Sequence, residues 1–151
     1  MNDLFVDTAG WGHLVDASQK YHSLAAAIYR RDRQQGRKLY TTNYILTELV
    51  ALLISPLRIP RITTIEFIES LKTSPFIQII HVDAVLDERA WQLFKQRDDK
   101  NWSLVDCASF VLMRDMGITQ VLTTDHHFEQ AGFVCLLKTQ LSRDFLASTQ
   151  K

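Results

Sequence analysis

Apolar positions along the chain fall into two alternating kinds of run. The short, continuous ones read as buried strands: Leu4-Phe5-Val6, which ends at Asp7, then Lys38 to Thr41, Phe76 to Val82, Ile118 to Thr123, and Phe133 to Leu137. Phe76 to Val82 is the richest of them in β-branched residues. Between these runs lie longer stretches with apolar residues at helical spacing. One helix is predicted from about Tyr21 to Gln35 and is ended by Gly36, with Gly10 and Gly12 predicting a turn before it. A second runs from about Tyr44 to Ile54, capped by Thr42 or Asn43 and stopped by Pro56. A third opens at Thr63 or Thr64, carries Ile65, Ile68 and Leu71, and ends before Pro75. Asp83 caps a fourth, whose apolar stripe is Val85, Leu86, Ala90, Leu93 and Phe94. A fifth opens at Ser103, reaches Met116 and closes on Gly117; Phe128 to Ala131 forms a short helical turn, and a weakly amphipathic tail follows the last strand. Short apolar strands alternating with helices of ten or more residues predict an α/β fold with a mainly parallel sheet.

Composition narrows the class without changing it. With 46% hydrophobic and 23% charged residues the chain has the make-up of a soluble globular protein. Its 151 residues, 5 glycines and 3 prolines, free of repeats or low-complexity segments, predict one domain over 1–151. The longest apolar stretch, Tyr44 to Ile54, is broken by Thr47 and Glu48 and is too short to span a bilayer. No basic segment leads into a long apolar one near the start, so no signal peptide is expected. Cys107 and Cys135 sit inside apolar runs, which suits reduced, packed thiols of a cytoplasmic protein.

The 17 basic and 17 acidic residues cancel, which excludes the overall basic excess of a tight, non-specific nucleic-acid binder. Local asymmetry remains. Arg30, Arg31, Arg33, Arg37 and Lys38 form one basic run, and Arg58 and Arg61 a second small group. A solvated face is the plainer reading of such runs. The sharper one makes Arg30, Arg31 and Arg33 contacts to the phosphates of an RNA.

The acids carry the chemistry. Ligands of open α/β sheets bind beyond the carboxyl ends of the strands. Asp7 follows the first strand and Asp125 follows the Ile118–Thr123 strand, so both fall on that rim. Asp106 lies one turn into the helix opened by Ser103, and Glu48 lies on the helix after the second strand. Each also has a plain structural explanation. Asp7 and Asp125 can cap the turns that follow them, and Ser103-Leu104-Val105-Asp106 has the form of a capping box. Glu48, amid Ile45-Leu46-Thr47 and Leu49-Val50, is costly to bury unless paired or metal-bound, though a surface-facing Glu on an amphipathic helix is also open. Together, carboxylates on one rim would repel unless a cation neutralised them. An all-oxygen set suits Mg²⁺ or Mn²⁺ better than Zn²⁺, and no Cys/His set shows metal-ligand spacing. Metal-assisted phosphodiester hydrolysis is the reaction class these residues favour.

At these residues the chain resembles the PIN-domain nucleases, and among them the VapC-type toxins of bacterial toxin–antitoxin pairs. The resemblance spans nearly the whole length. It is carried by Phe5-Val6-Asp7-Thr8, by Thr47-Glu48-Leu49, by the run from Trp102 to Phe110, and by Leu122-Thr123-Thr124-Asp125-His126-His127-Phe128 followed by Ala131-Gly132-Phe133. It implies a three-layer α/β/α fold with a five-stranded parallel sheet, an acidic pocket for Mg²⁺ or Mn²⁺, and endonucleolytic cleavage of RNA. It also implies a homodimer and inhibition by a small antitoxin. Position by position, Asp7, Glu48, Asp106 and Asp125 match the acidic set, Asp125 acting on the ion directly or through water. Thr8 and Ser103 match the polar residues that orient the acids. Asp99 is a further acid nearby in sequence.

His126-His127 admits acid–base work, although two histidines in a solvated turn is the plainer reading. Trp102 can stack on a base or simply pack beside the helix start. A rival chemistry, phosphoryl transfer through an aspartyl-phosphate on Asp7, expects a second acid two positions on, where this chain has Ala9. A housekeeping RNA-processing nuclease and a non-catalytic RNA- or protein-binding module also stay open on the sequence.

Overall fold

The computed structural model describes residues 3–138. Its elements are β1 (Leu4–Val6), α1 (Thr8–Val15), α2 (His22–Gln34), β2 (Leu39–Thr42), α3 (Asn43–Ile54), α4 (Arg61–Thr73), β3 (Ile77–Ile80), α5 (Ala84–Gln96), α6 (Leu104–Met116), β4 (Gln120–Leu122), α7 (His126–Gln130) and β5 (Val134–Cys135). The expected amphipathic tail lies outside the described residues.

The five strands form one sheet in the order β3-β2-β1-β4-β5, with every pairing parallel. Connections between parallel strands are right-handed. The chain therefore lays α1 to α4 on one face while it steps from β1 to β2 to β3. It then returns across the other face through α5 and α6 to β4, and α7 leads on to β5. Helix packing agrees: α1 touches α2 and α3, α3 touches α4, and α6 touches α5 and α7. The expected three-layer α/β/α architecture is what forms. The direction of winding reverses between β1 and β4, and it is beyond the carboxyl ends of such a pair that a crevice opens.

The core explains the alternation of runs. All three residues of β1 are buried, as expected of a strand covered on both faces. On the α5–α7 face, Phe110 meets Trp102 and Phe128 edge-on, each with ring centroids 4.9 Å apart, and Phe128 reaches Phe5 of β1 at 6.5 Å. Trp102 thus packs beside the start of α6, its indole Nε1 donating to Gln130 Oε1 at 3.0 Å. Cys107 and Cys135 are free and buried, their thiols pushed up to about 11 and about 12 by burial.

Three local expectations need correction. Gly10 and Gly12 do not make a turn; both lie within α1. The reason is clearance: a methyl group at Gly10 would come within 2.0 Å of the Leu122 carbonyl oxygen, so only glycine lets α1 lie against the end of β4. Next, α4 opens at Arg61, directly after Pro60, and Thr64 is buried inside it. Finally, the stripe on α5 is narrower than predicted. Leu86 and Ala90 are buried, whereas Val85 and Phe94 are 69% and 39% exposed, with Phe94 stacked on the equally outward Trp91. Caps fall at the residues expected: Thr42 on α3, Asp83 on α5, Ser103 on α6, and a left-handed Gly117 after α6.

Candidate active site

The four acids converge on the β1/β4 crevice from four directions. Asp7 is the residue after β1, and Asp125 follows β4 by three. Asp106 is in the first turn of α6, and Glu48 is midway along α3. Their carboxylates lie close enough to raise one another. Asp106 and Asp125 push Asp7 up, the same two push Glu48 up, and Asp125 pushes Asp106 up.

Asp7 is the most buried of them at 5% exposure, and loss of solvation is the largest cause of its pKa rising to about 7. Although it occupies the N-cap position of α1, its side chain caps nothing. Its Oδ2 instead accepts from the Thr123 hydroxyl at 3.0 Å, and that same oxygen of Thr123 accepts from the Asp125 N–H at 3.0 Å. Glu48, half-buried, is raised by loss of solvation first and held down by Thr8, whose Oγ1 donates to Oε1 at 2.9 Å. Thr8 thus holds one oxygen of Glu48.

Asp106 completes the capping box. Its Oδ2 accepts from the Ser103 N–H at 3.0 Å, and the Ser103 hydroxyl accepts from the Asp106 N–H at 3.0 Å. The capping box uses one carboxylate oxygen of Asp106 and leaves the other open to a further role. Asp125 caps α7, its Oδ1 accepting from the His127 N–H at 2.9 Å. Glu48, Asp106 and Asp125 thus each have one oxygen fixed by the protein, while the other has no hydrogen bond from the described residues.

Two participants were not singled out as site residues in the sequence. Thr123 sits directly after β4, as Asp7 sits directly after β1. The register that pairs Val6 with Leu122 therefore carries the two side by side one residue later. His127 is not in a merely solvated turn: its Nδ1 lies 3.1 Å from Asp106 Oδ2 and 3.3 Å from Asp125 Oδ1. His126 is the exposed member of the pair.

The donor chemistry fits a hard divalent cation. Burial first, and neighbouring carboxylates second, raise Asp7, Glu48 and Asp106; the charged groups acting on them are Asp106, Asp125 and His127. A cation among them would favour their ionised forms. Among the described residues, the trio whose ligand atoms all fall within 4.8 Å of one another is Asp125, His126 and His127, a nitrogen-containing set that sequence spacing had not suggested. No three of the four acids are grouped so tightly, and Mg²⁺, which keeps several waters, can be held partly through water.

The basic run lies elsewhere. α2 runs back toward the start of β2, so Arg30, Arg31 and Arg33, near its end, sit at the edge opposite the acids. Arg31 pairs with the buried Asp32 at 3.1 Å, and the Arg33 guanidinium lies 4.8 Å over Phe76, just before β3. The structure does not bring these arginines to the acidic rim. Asp99 is exposed and paired with Arg97 at 2.9 Å.

The sequence profile of the PIN domain matches residues 4–134. Over 131 residues the chain is 30% identical to the 23S rRNA-specific endonuclease VapC20 of Mycobacterium tuberculosis strain H37Rv, covering 87% of this chain and 95% of that one. The counterpart in strain CDC 1551 / Oshkosh matches to the same extent. The crystal structure of Mycobacterium tuberculosis VapC20, a toxin that cleaves the sarcin–ricin loop, aligns with a TM-score of 0.75 at 30% identity, over 87% of this chain and 97% of that one.

Proposed function

The chain belongs to the PIN-domain family, in its VapC-type branch, and on that premise we propose that it is a divalent-metal-dependent endoribonuclease that acts as the toxin of a toxin–antitoxin pair. One observation carries the reading: Asp7, Glu48, Asp106 and Asp125 meet at the point where the sheet reverses its winding, and electrostatic coupling links them all.

Asp7, Glu48 and Asp106 would hold the ion, and Asp125 would join them directly or through water. Mg²⁺ or Mn²⁺ would supply positive charge to the scissile phosphate and an activated water. The remaining work belongs to the chain. Thr8 and Thr123 fix one oxygen each of Glu48 and Asp7, and Ser103 fixes Asp106, which limits the orientations these carboxylates can take.

The substrate is RNA, and the likeness to VapC20 suggests the sarcin–ricin loop of 23S rRNA as its class. The VapC-type relationship also proposes a small antitoxin and a second copy of the chain as partners, in the cytoplasm. No helix among the described residues is long and apolar enough to cross a membrane.

The test uses end-labelled RNA hairpins, one of sarcin–ricin-loop sequence and one unrelated, with the protein in Mg²⁺ or Mn²⁺. Cleavage of the loop hairpin at one phosphodiester is expected. Cleavage of neither hairpin in either ion would count against the nuclease reading, and equal cleavage of both against the substrate class. Expression in a bacterial host should arrest growth, relieved by the product of the neighbouring gene.

A further inference from the structure

His127 stands between two acids that come from different elements. Phe128, the next residue, is fully buried against Phe5 and Phe110, so the backbone of α7 is pinned to the same aromatic cluster that carries α6. That pinning aims the His127 ring at the crevice, where its side chain is 20% exposed, while the His126 side chain is 64% exposed, its Nδ1 3.9 Å from Asp125. The His127 Nδ1 faces two carboxylate oxygens, Asp106 Oδ2 at 3.1 Å and Asp125 Oδ1 at 3.3 Å. Ionised carboxylates only accept, so this nitrogen carries the proton; it donates to Asp106 Oδ2 and faces Asp125 Oδ1 at ion-pair distance.

Both oxygens that the ring engages are also held by backbone donors, Asp106 Oδ2 by the Ser103 N–H and Asp125 Oδ1 by the His127 N–H. The ring therefore adds to the anchored side of each carboxylate and leaves Asp106 Oδ1 and Asp125 Oδ2 without a donor among the described residues. Two like charges from α6 and from the β4–α7 connection thus flank one ring nitrogen.

We propose that His127 is a positioning residue whose Nδ1 bridges Asp106, by a hydrogen bond, and Asp125, at ion-pair distance, and thereby sets the affinity of the acidic site for its divalent ion. The inference rests on the metal-site reading of the acids. His127 acts through the carboxylates, since an Nδ1 whose proton points at Asp106 offers no lone pair to an ion on that side. Outer hydrogen bonds of this kind change metal affinity about 10- to 100-fold when removed.

Three forms of the full chain separate the possibilities: wild type, His127→Asn and His127→Leu. The first substitution keeps a side-chain N–H close to the Nδ1 position; the second keeps bulk and removes the donor. Titration calorimetry with MgCl₂ and with MnCl₂ is run on each, with circular dichroism confirming the fold. The expected result is that H127L binds both ions about 10-fold or more weakly, while H127N stays within roughly threefold of wild type. H127L binding as tightly as wild type would overturn the bridge and leave the metal site standing. Loss in H127L confined to Mn²⁺ would also overturn it, because that pattern belongs to a nitrogen ligand. H127N weakened as far as H127L would do the same. Failure of wild type to bind either ion would remove the metal-site reading itself, and the bridge with it.

Discussion

The hydroxyl of Thr123 donates to Oδ2 of Asp7 at 3.0 Å, joining residues 116 positions apart across the carboxyl ends of β1 and β4. The bond follows from register. Val6 pairs with Leu122 in the ladder, and one step further the strands separate with Asp7 and Thr123 adjacent. Since Thr123 Oγ1 also accepts from the Asp125 N–H, one hydroxyl sets two acids relative to each other.

Replacing this threonine by valine, Thr123→Val, keeps the shape and removes both bonds. The lost donor had stabilised the ionised form of Asp7, so the Asp7 pKa rises above its value of about 7. Protons then compete with the ion over a wider range. The pH at which Mg²⁺ binding reaches half its plateau should move upward, as read by calorimetry across a pH series. The fold should lose about 1–3 kcal/mol by urea denaturation, because the Asp125 N–H is left without its acceptor. An unchanged pH midpoint would contradict the role given to Thr123.

Burial of Asp7 makes the metal-free protein less stable as the solution becomes more alkaline. Its folded pKa, about 7, lies above the ordinary 3.8, so the folded state keeps a proton that the unfolded chain releases. The stability this contributes is fully present below pH 3.8 and is lost as pH rises through about 7. Asp7→Asn removes the titration while keeping an oxygen for Thr123. In chelator at pH 8 the variant should be more stable than wild type, by on the order of a few kcal/mol. Saturating Mg²⁺ should narrow the gap, since it binds the folded wild type. Urea titrations of D7N and wild type at pH 5 and pH 8 check this; a variant less stable than wild type at pH 8 would sink it.

Gly10 and Gly12 should respond oppositely to alanine. The added methyl at position 10 meets the Leu122 carbonyl at 2.0 Å, a backbone atom that cannot turn aside. Gly10→Ala should cost about 3 kcal/mol or more and displace α1 from the crevice. At position 12 the nearest atom is the Leu52 Cδ2 at 3.3 Å, the end of a flexible side chain. Gly12→Ala should change stability by less than about 1 kcal/mol, gaining helix propensity against a small side-chain shift. Thermal unfolding of the pair decides, and equal losses would disprove the close-approach explanation.

Much of the architecture is legible in the chain itself. Alternation of short apolar runs with helical stretches is a local signal, and it located all five strands and most helices. The four acids were legible because each ends or begins an element or interrupts an apolar run, and the flanking motifs matched a known family pattern. What depended on strand order was not. Nothing in Leu4-Phe5-Val6 says that β1 lies between β2 and β4, so neither the Thr123–Asp7 bond nor the reason for Gly10 could be read. The placement of Arg30, Arg31 and Arg33 at the far edge follows from the direction of α2, which the basic run itself does not encode. His127 did carry a signal, two residues beyond Asp125 and next to an apolar Phe128, but its two partners became visible only with α6 in place.

The most direct test of the central claim is RNA cleavage by wild type, D7N and Asp106→Asn, each with Mg²⁺ or Mn²⁺ and again with chelator, on protein shown to be folded. The expected result is cleavage by wild type in either ion, its abolition in chelator with recovery on adding the ion back, and a loss of at least about 100-fold in both variants. Cleavage that persists undiminished in chelator, or in both variants, would contradict an acidic metal centre built on Asp7 and Asp106.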